Sequence, residues 1–510
     1  MSTSSRVIKN TSYLYIKMGI TMFISLYTTR LILSSLGASD FGIFNVVGGA
    51  IAMLGFLNST LANATQRFLS YAEGEGHIEK KRGIFSVSIV LHLAIALATV
   101  LLLLLAMFPL FNGVFSIEPE RVGPARIVYY CLIFSTILTI INVPYDAVMN
   151  AHENMLYYSI IGVFESFLKL CVAYACVYTR WDKLILYSIL MSVIPLVTLS
   201  IMKVYCHCHY DECVIAPRKY WDKNLVKQIF SFFGWNFLTA VSSLFSAQGI
   251  GIVLNHYFGT VLNAAQGVAH QVNGALSMFS VNMMKALNPV IVKSAGAGKN
   301  EVMNRASIAG CKFAALLTVF FGVPLSLEVH YVLGIWLKEV PEWAEIFVVL
   351  QLVQGIIVQM ANSASTAVYA NGDIKSYAIW KSVMNAMPLF LTWISFRLGG
   401  GPIWLYIPMI VVWAIGGDIV IIYFAWMKCG MQVGEYVNKV VLPLIGTALI
   451  MIVFGSVVVA VFQASFLRLV ITCIASTMGM FMAFFLFAMT KDEKNMIIVF
   501  VKEITKKEKK

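Results

Sequence analysis

Apolar runs too long for the core of a soluble domain recur along the whole chain, and they constrain its fold more than anything else in the sequence. Most extend about 20 to 28 residues, enough to cross a hydrocarbon layer of roughly 30 Å as helices rising 1.5 Å per residue. They are continuous rather than alternating with a period of two, which argues against an outer-membrane barrel. We count about fourteen, from residues 12–36 to residues 466–490. The chain is 59% hydrophobic and only 12% charged, so lipid must solvate it. The expected fold class is an all-α polytopic membrane protein. The first run is too long for a signal-peptide core and has no small-residue cleavage site after it, so it reads as a retained anchor.

Lysine and arginine set the expected orientation. With the N-terminus inside, the inner connections hold Arg6, Lys9, Lys80, Lys81, Arg82, Arg218, Lys219, Lys223, Lys293, Lys299, Lys428, Lys439 and the tail lysines Lys502, Lys506, Lys507, Lys509 and Lys510. The outer ones hold little beyond Arg121, Arg180, Lys183 and Lys338. This positive-inside asymmetry puts both termini in the cytoplasm, and Trp181, Trp336, Trp343 and Trp404 fall where an outer aromatic belt belongs. The formal charge of +12 is therefore mainly topology rather than a nucleic-acid footprint; the basic tail could touch anionic membrane lipids, but a solvated tail is the reading adopted.

An internal repeat divides the chain. A shift of 222 residues matches Gly37 to Gly259, Ala64 to Ala286, Gly74 to Gly296, Gly76 to Gly298 and Glu79 to Glu301. A shift of 220 matches Ala147-Val148 to Ala367-Val368, Glu153 to Asp373 and Tyr157 to Tyr377. Both map span n onto span n+6, so the halves share one orientation, as in transporters with parallel repeats. The expected organisation is an N-lobe over 1–204, a cytoplasmic linker over 205–224, a C-lobe over 225–428, and two further spans with a basic tail over 429–510. Within the linker, Cys206-His207-Cys208-His209 and Cys213 offer zinc-type ligands. Four adjacent ligands converge poorly on one tetrahedron, so a reduced, exposed loop without metal is the reading adopted. No cofactor is expected.

Polar chemistry concentrates on two repeat-related helices. On span eight, Gln266, His270, Asn273, Ser277, Ser280 and Asn288 share one face at 100° per residue. Span two carries a related stripe with Asn45, Ser59, Asn63, Gln66 and Ser70. Small and polar residues also glue membrane helices together, but so many Asn and Gln suit a wet cavity. Cations at membrane depth are Arg30, Lys169, Lys285, Lys312 and Lys381, against few acids: Glu165, Asp418, and near span ends Asp146 and Glu328. Glu165 and Lys169, four apart, can neutralise each other. The excess of cations suits an anion such as a phosphate or pyrophosphate, with Arg30 offering a bidentate fork. The sequence has no nucleophile–base constellation, helix-borne carboxylate pair or Gly-rich phosphate loop, so nothing points to an enzyme.

The pattern Arg30…Leu36-Gly37…Asp40-Phe41-Gly42 resembles the opening hairpin of the polysaccharide-export and O-antigen flippases, within the multidrug/oligosaccharidyl-lipid/polysaccharide superfamily. The likeness extends over most of the chain in span number, six-plus-six repeat and terminal pair. The resemblance implies alternating access of two six-helix lobes in a bacterial inner membrane, moving an undecaprenyl-pyrophosphate-linked oligosaccharide, with contact to glycan polymerase machinery. Its cationic cavity would map onto Arg30 and Lys285, then Lys312 and Lys381, with His270, Asn273, Asn288, Asn63 and Gln66 meeting the saccharide. The alternatives are a peptidoglycan-precursor flippase or an H+- or Na+-coupled multidrug antiporter. A membrane glycan polymerase or ligase fits less well, because such enzymes carry a large outer loop.

Overall fold

The structure, a computed structural model, describes residues 3–52, 54–115, 117–337 and 339–488. The tail lysines Lys502 to Lys510, and Lys338, lie outside them. The described residues are helical almost throughout, because a backbone facing lipid must satisfy its own polar groups and a helix does so within one segment. In chain order the main helices are α1 (Thr3–Ala52), α2 (Gly55–Glu75), α3 (Ile78–Pro109), α4 (Val122–Ala151), α5 (Met155–Tyr178), α6 (Lys183–His209) and α7 (Lys223–Gly296). Then come α8 (Asn300–Leu327), α9 (Val329–Trp336), α10 (Ala344–Asn371), α11 (Lys375–Arg397), α12 (Pro402–Cys429), α13 (Val433–Val461) and α14 (Phe466–Leu486).

Eleven of these helices are long and apolar enough to cross a membrane, or twelve if the bent pair Ser39–Ala52 and Gly55–Glu75 is one span. The expected fourteen are reconciled by two details. At 74 residues α7 would measure about 110 Å, far more than one crossing, and it breaks at Gly259. The 23-residue α11 is long enough to span but carries Lys375, Lys381 and Arg397.

The breaks explain the repeat. Gly37 interrupts α1 with φ 79° and ψ 168°, and Gly259 interrupts α7 with φ 80° and ψ −171°. That corner of backbone space is open essentially to glycine alone. Their mates at the other ends of these hairpins, Gly76 and Gly298, both stand in the left-handed region, at φ 77° and 69°. Ala64 and Ala286, by contrast, are matched because both are fully buried.

By internal contacts the chain forms two units. Unit 1 comprises Met1–Ala240, Lys285–Met303 and Gly372–Lys375; unit 2 comprises Val241–Met284, Asn304–Asn371 and Ser376–Lys510. The division therefore differs from the lobes read off the sequence, since the end of α7 packs within unit 1. The core of unit 1 joins Ile43, Val47 and Ile51 of α1 to Leu103 of α3 and Val128, Tyr129 and Ile133 of α4. A second cluster joins Ile32 to Val172, Ala173, Cys176 and Ile194 of α5 and α6. In unit 2, Ile250, Leu254, Leu262, Ala265 and Ala269, on both sides of Gly259, share one core with Phe347, Leu352 and Tyr406.

Unit 2 also holds a buried ion pair. Glu328, between α8 and α9 and fully buried, accepts from Arg468 Nε at 3.0 Å and Nη2 at 2.7 Å and from Thr472 Oγ1 at 2.8 Å. This ties α14 to the bend after α8, so the terminal helix is an integral part of its unit.

The linker reading is corrected in two respects, the first being that Cys206 to His209 form the last turn of α6 rather than a loop. Cys206, Glu212 and Cys213 are buried, not exposed. Cys206 and His207 both turn to Tyr145, the thiol to its carbonyl and the ring at 5.8 Å between centroids, whereas His209 stacks on Tyr205.

Candidate functional site

α1, α5 and α7 meet in unit 1 through Leu14, Met155 and Ala286, each at most 1% exposed, with Tyr158 packed against them. One helical turn beyond Leu14 stands Lys17, and one turn beyond Met155 stands Tyr158. Lys285 adjoins Ala286. Residues three apart on a helix share a face, so an apolar contact among three helices presents two lysines and a tyrosine together. The Lys285 ammonium lies 3.5 Å from the Tyr158 ring centroid and that of Lys17 lies 4.1 Å from it. Both distances are within cation–π reach. The Lys17 stem runs across Gly162 of α5, where a Cβ would overlap it.

One acid answers these two cations. Asp146 of α4 places Oδ2 3.9 Å from Lys285 Nζ, while its Oδ1 is buried without a hydrogen bond. The group therefore keeps one net positive charge, and its ammoniums retain donors to offer. Such a site is suited to an oxyanion, which two half-buried point charges beside one ring attract.

The other sequence candidates fall elsewhere. Arg30 is exposed and has no hydrogen bond or ion pair among the described residues. It stands thirteen residues from Lys17 on one continuous stretch of α1, about 20 Å along the axis, so the structure does not bring it to Lys285. Asn63 of α2 is exposed, while Gln66 of α2 and Asn288, one turn beyond Lys285, are half-buried.

In unit 2, His270 is exposed, and Asn273 presses its Oδ1 against Gly355 of α10, where a Cβ would overlap it. Ser280 hydrogen-bonds the Ala314 carbonyl at 3.1 Å and Gln266 is buried. Part of the span-eight stripe thus serves close helix packing, the role small and polar residues often have in membranes. Lys312 is 3% exposed. The Lys381 ammonium rests on Gly417, in electrostatic contact with Asp418. Glu165 and Lys169 form the expected ion pair at 2.6 Å.

Sequence reasoning misses Lys17 and Tyr158. Lys17 lies a turn and a half inside its span, a depth from which an ammonium reads as snorkelling to the interface. Nothing in the spacing reveals that a tyrosine far along the chain shares its face.

No protein-family model matches the chain, and no curated relative matches its sequence. Solved structures do match its fold. One is a multidrug resistance MATE family transporter of the MOP superfamily in an outward-facing conformation, 15% identical, with TM-score 0.71 over 84% of this chain and 96% of that one. Another is a MOP superfamily transporter from Pyrococcus furiosus described as having a binding pocket of reverse polarity, 16% identical, with TM-score 0.68 over 86% of this chain and 97% of that one. A third is a MATE structure in the straight conformation, 16% identical, with TM-score 0.66 over 84% and 97%. The chain has the fold of the MATE transporters of the MOP superfamily.

Proposed function

We propose that the chain is a membrane transporter working by alternating access, and that its cargo carries an anionic headgroup received by Lys17 and Lys285. The observation that carries this reading is the net positive Lys17–Tyr158–Lys285 group, held with a single carboxylate at a junction of three helices. A lipid-linked anionic saccharide is the cargo we favour: phosphate for the lysines, hydroxyls for Gln66 of α2 and Asn288 of α7, which belong to the same unit. In liposomes, the purified protein should move a fluorescent lipid-linked saccharide. Lys17→Ala or Lys285→Ala should each slow it about tenfold or more, as expected where a hydrogen bond to a charged group contributes about 1.5–3 kcal/mol. Unchanged rates in both variants would remove these lysines from the site.

A second reading, a cation-coupled multidrug antiporter, is favoured by a different observation: the fold is shared with a multidrug resistance transporter. Here Asp146 or Asp418, each beside a lysine, would exchange with the coupling ion. Efflux of cationic drugs driven by an H+ or Na+ gradient, without movement of the lipid-linked saccharide, would select it.

A further inference from the structure

The residues between α6 and α7, Tyr210 to Asp222, form a strap pinned to unit 1 along one side. The Ser86 hydroxyl of α3 donates to the Val214 carbonyl at 2.5 Å and accepts from the Ala216 N–H at 3.2 Å. One turn earlier on α3, Arg82 donates to the Asp211 carbonyl at 3.0 Å. Glu212 and Cys213 turn inward and are buried. Glu212 is hydrogen-bonded to His152, which stacks on Tyr210 at 4.3 Å and stands 3.6 Å from Glu73, the partner of Lys81. The strap therefore has a fixed inner face and a fixed outer one.

The outer face has the wrong chemistry for water. In the run Glu212-Cys213-Val214-Ile215 the acid is inside and the aliphatics are outside, the reverse of what a solvated loop would adopt. Val214 is 36% exposed, Ile215 48% and Trp221 47%. The exposure continues onto both flanking helices, since Val204 of α6 and Phe230 of α7 are each more than half exposed. Apolar residues presented in this way, with polar ones around them, mark a surface that meets a partner or a membrane.

Charge says which. Lys203, Arg218, Lys219, Lys223 and Lys227 are all exposed, and none has an ion pair among the described residues; Lys219 only rests on the Tyr220 ring, at 5.0 Å. Asp211 and Asp222 are the exposed acids of the strap, so the face stays positive. Both ends of the strap run directly into membrane-spanning helices, which keeps it at the bilayer surface. Tryptophan beside aliphatics, flanked by lysine and arginine, is the composition of segments that lie in the headgroup boundary of an anionic leaflet.

We propose that this strap is a lipid-binding surface: Val214, Ile215 and Trp221 enter the leaflet it borders, and Arg218, Lys219, Lys223 and Lys227 hold anionic phospholipid headgroups there. The positive-inside pattern makes that leaflet the cytoplasmic one. The inference requires that the chain span a membrane and requires nothing of its cargo, so it stands apart from the transport reading. The anchors on α3 and on the α4–α5 connection are what give it content, because they hold the aliphatics outward on a rigid support instead of leaving them on a loose loop.

The test uses the full-length protein in nanodiscs. On a cysteine-free background, Ile215→Cys carries an environment-sensitive fluorophore. Brominated phospholipid should quench it and aqueous iodide should not; the opposite result overturns the proposal. A label open to iodide in nanodiscs but shielded in native membranes would assign the surface to a protein partner and overturn it equally. Headgroup selectivity is read by displacement of fluorescent phosphatidylglycerol. Unlabelled phosphatidylglycerol should compete at least tenfold better than phosphatidylcholine, and combining Arg218→Gln, Lys219→Gln, Lys223→Gln and Lys227→Gln should abolish that preference. These substitutions lie on exposed positions and leave every anchor intact. A preference unchanged in the combined variant, or displacement by soluble glycerol phosphate as effective as by the lipid, overturns the assignment.

Discussion

Arg468 illustrates how much one side chain can fix in a chain solvated by lipid. Its guanidinium meets a carboxylate with no exposed surface, at Glu328, and removing one member of such a pair leaves the other charged and unanswered. Arg468→Leu should therefore cost about 3–5 kcal/mol, seen as a large fall in the detergent-phase melting temperature. Adding Glu328→Gln should recover part of that loss, and a single variant as stable as the parent would show that the pair contributes nothing. Lys17 teaches the complementary lesson about legibility. The charges at Arg30, Lys312 and Lys381 stand out in the sequence because they lie deep in apolar runs, whereas the pairing of Lys17 with Lys285 depends on Tyr158 and on three helices meeting at Leu14, Met155 and Ala286. Periodicity places residues on faces of one helix; it does not say which faces converge.

Single elements were the most legible part of the chain, since each span announces itself by length and hydropathy, and each repeat glycine proved to have a backbone reason. Gly37 and Gly259 occupy conformations that a Cβ penalises, so Gly37→Ala and Gly259→Ala should each destabilise by about 1–3 kcal/mol. Equal losses in the two halves would be measured by thermal unfolding, and no loss at either would refute the shared strain. The connection after α6 was misread because its charges look like a solvated topology signal. Burial opposes ionisation of Glu212, but its hydrogen bond and charge interaction with His152, its backbone bonds and the nearby Lys81 outweigh that cost and hold its carboxyl below the ordinary glutamate range. A carboxyl with a depressed folded value stabilises at pH above its unfolded value, about 4.3, and loses that contribution as pH falls through the folded one. With Glu73, Lys81, Lys293 and Tyr210 around His152, acidification should loosen this connection first. Amide exchange at residues 210–216, corrected for its intrinsic pH dependence, should stay constant from pH 7 down to about 4.3 and rise below it; protection that persists in stronger acid would show that Glu212 does not hold the segment.

Across the whole molecule, the boundary between units does not coincide with the boundary between halves of the sequence, because residues 285–303 belong to unit 1. No composition shift marks this exchange, and Lys293 reads in the sequence as one more inner-loop charge. It follows that residues 1–222 made alone lack a helix that covers Leu14 and Met155. That fragment should aggregate on extraction, and co-expression with residues 223–510 should restore a monodisperse complex. A well-behaved fragment would mean that unit 1 does not need the segment.

A Cβ at Gly74 would overlap the Lys293 carbonyl and one at Gly296, its mate under the 222-residue shift, the Tyr71 carbonyl, and this reciprocal meeting has an evolutionary consequence. Two identical six-helix chains, associating about an axis normal to the membrane, would touch through the same patch on each copy, and glycine at position 74 of both would be selected once for both sides. Gene fusion would turn that dimer seam into an internal one and free the halves to diverge: tyrosine stands at 71 and lysine at its repeat mate 293, arginine at 30 and isoleucine at its mate 252. The glycines could not drift in the same way. They keep, inside a single polypeptide, the reciprocal contact that the seam of a two-fold dimer would require.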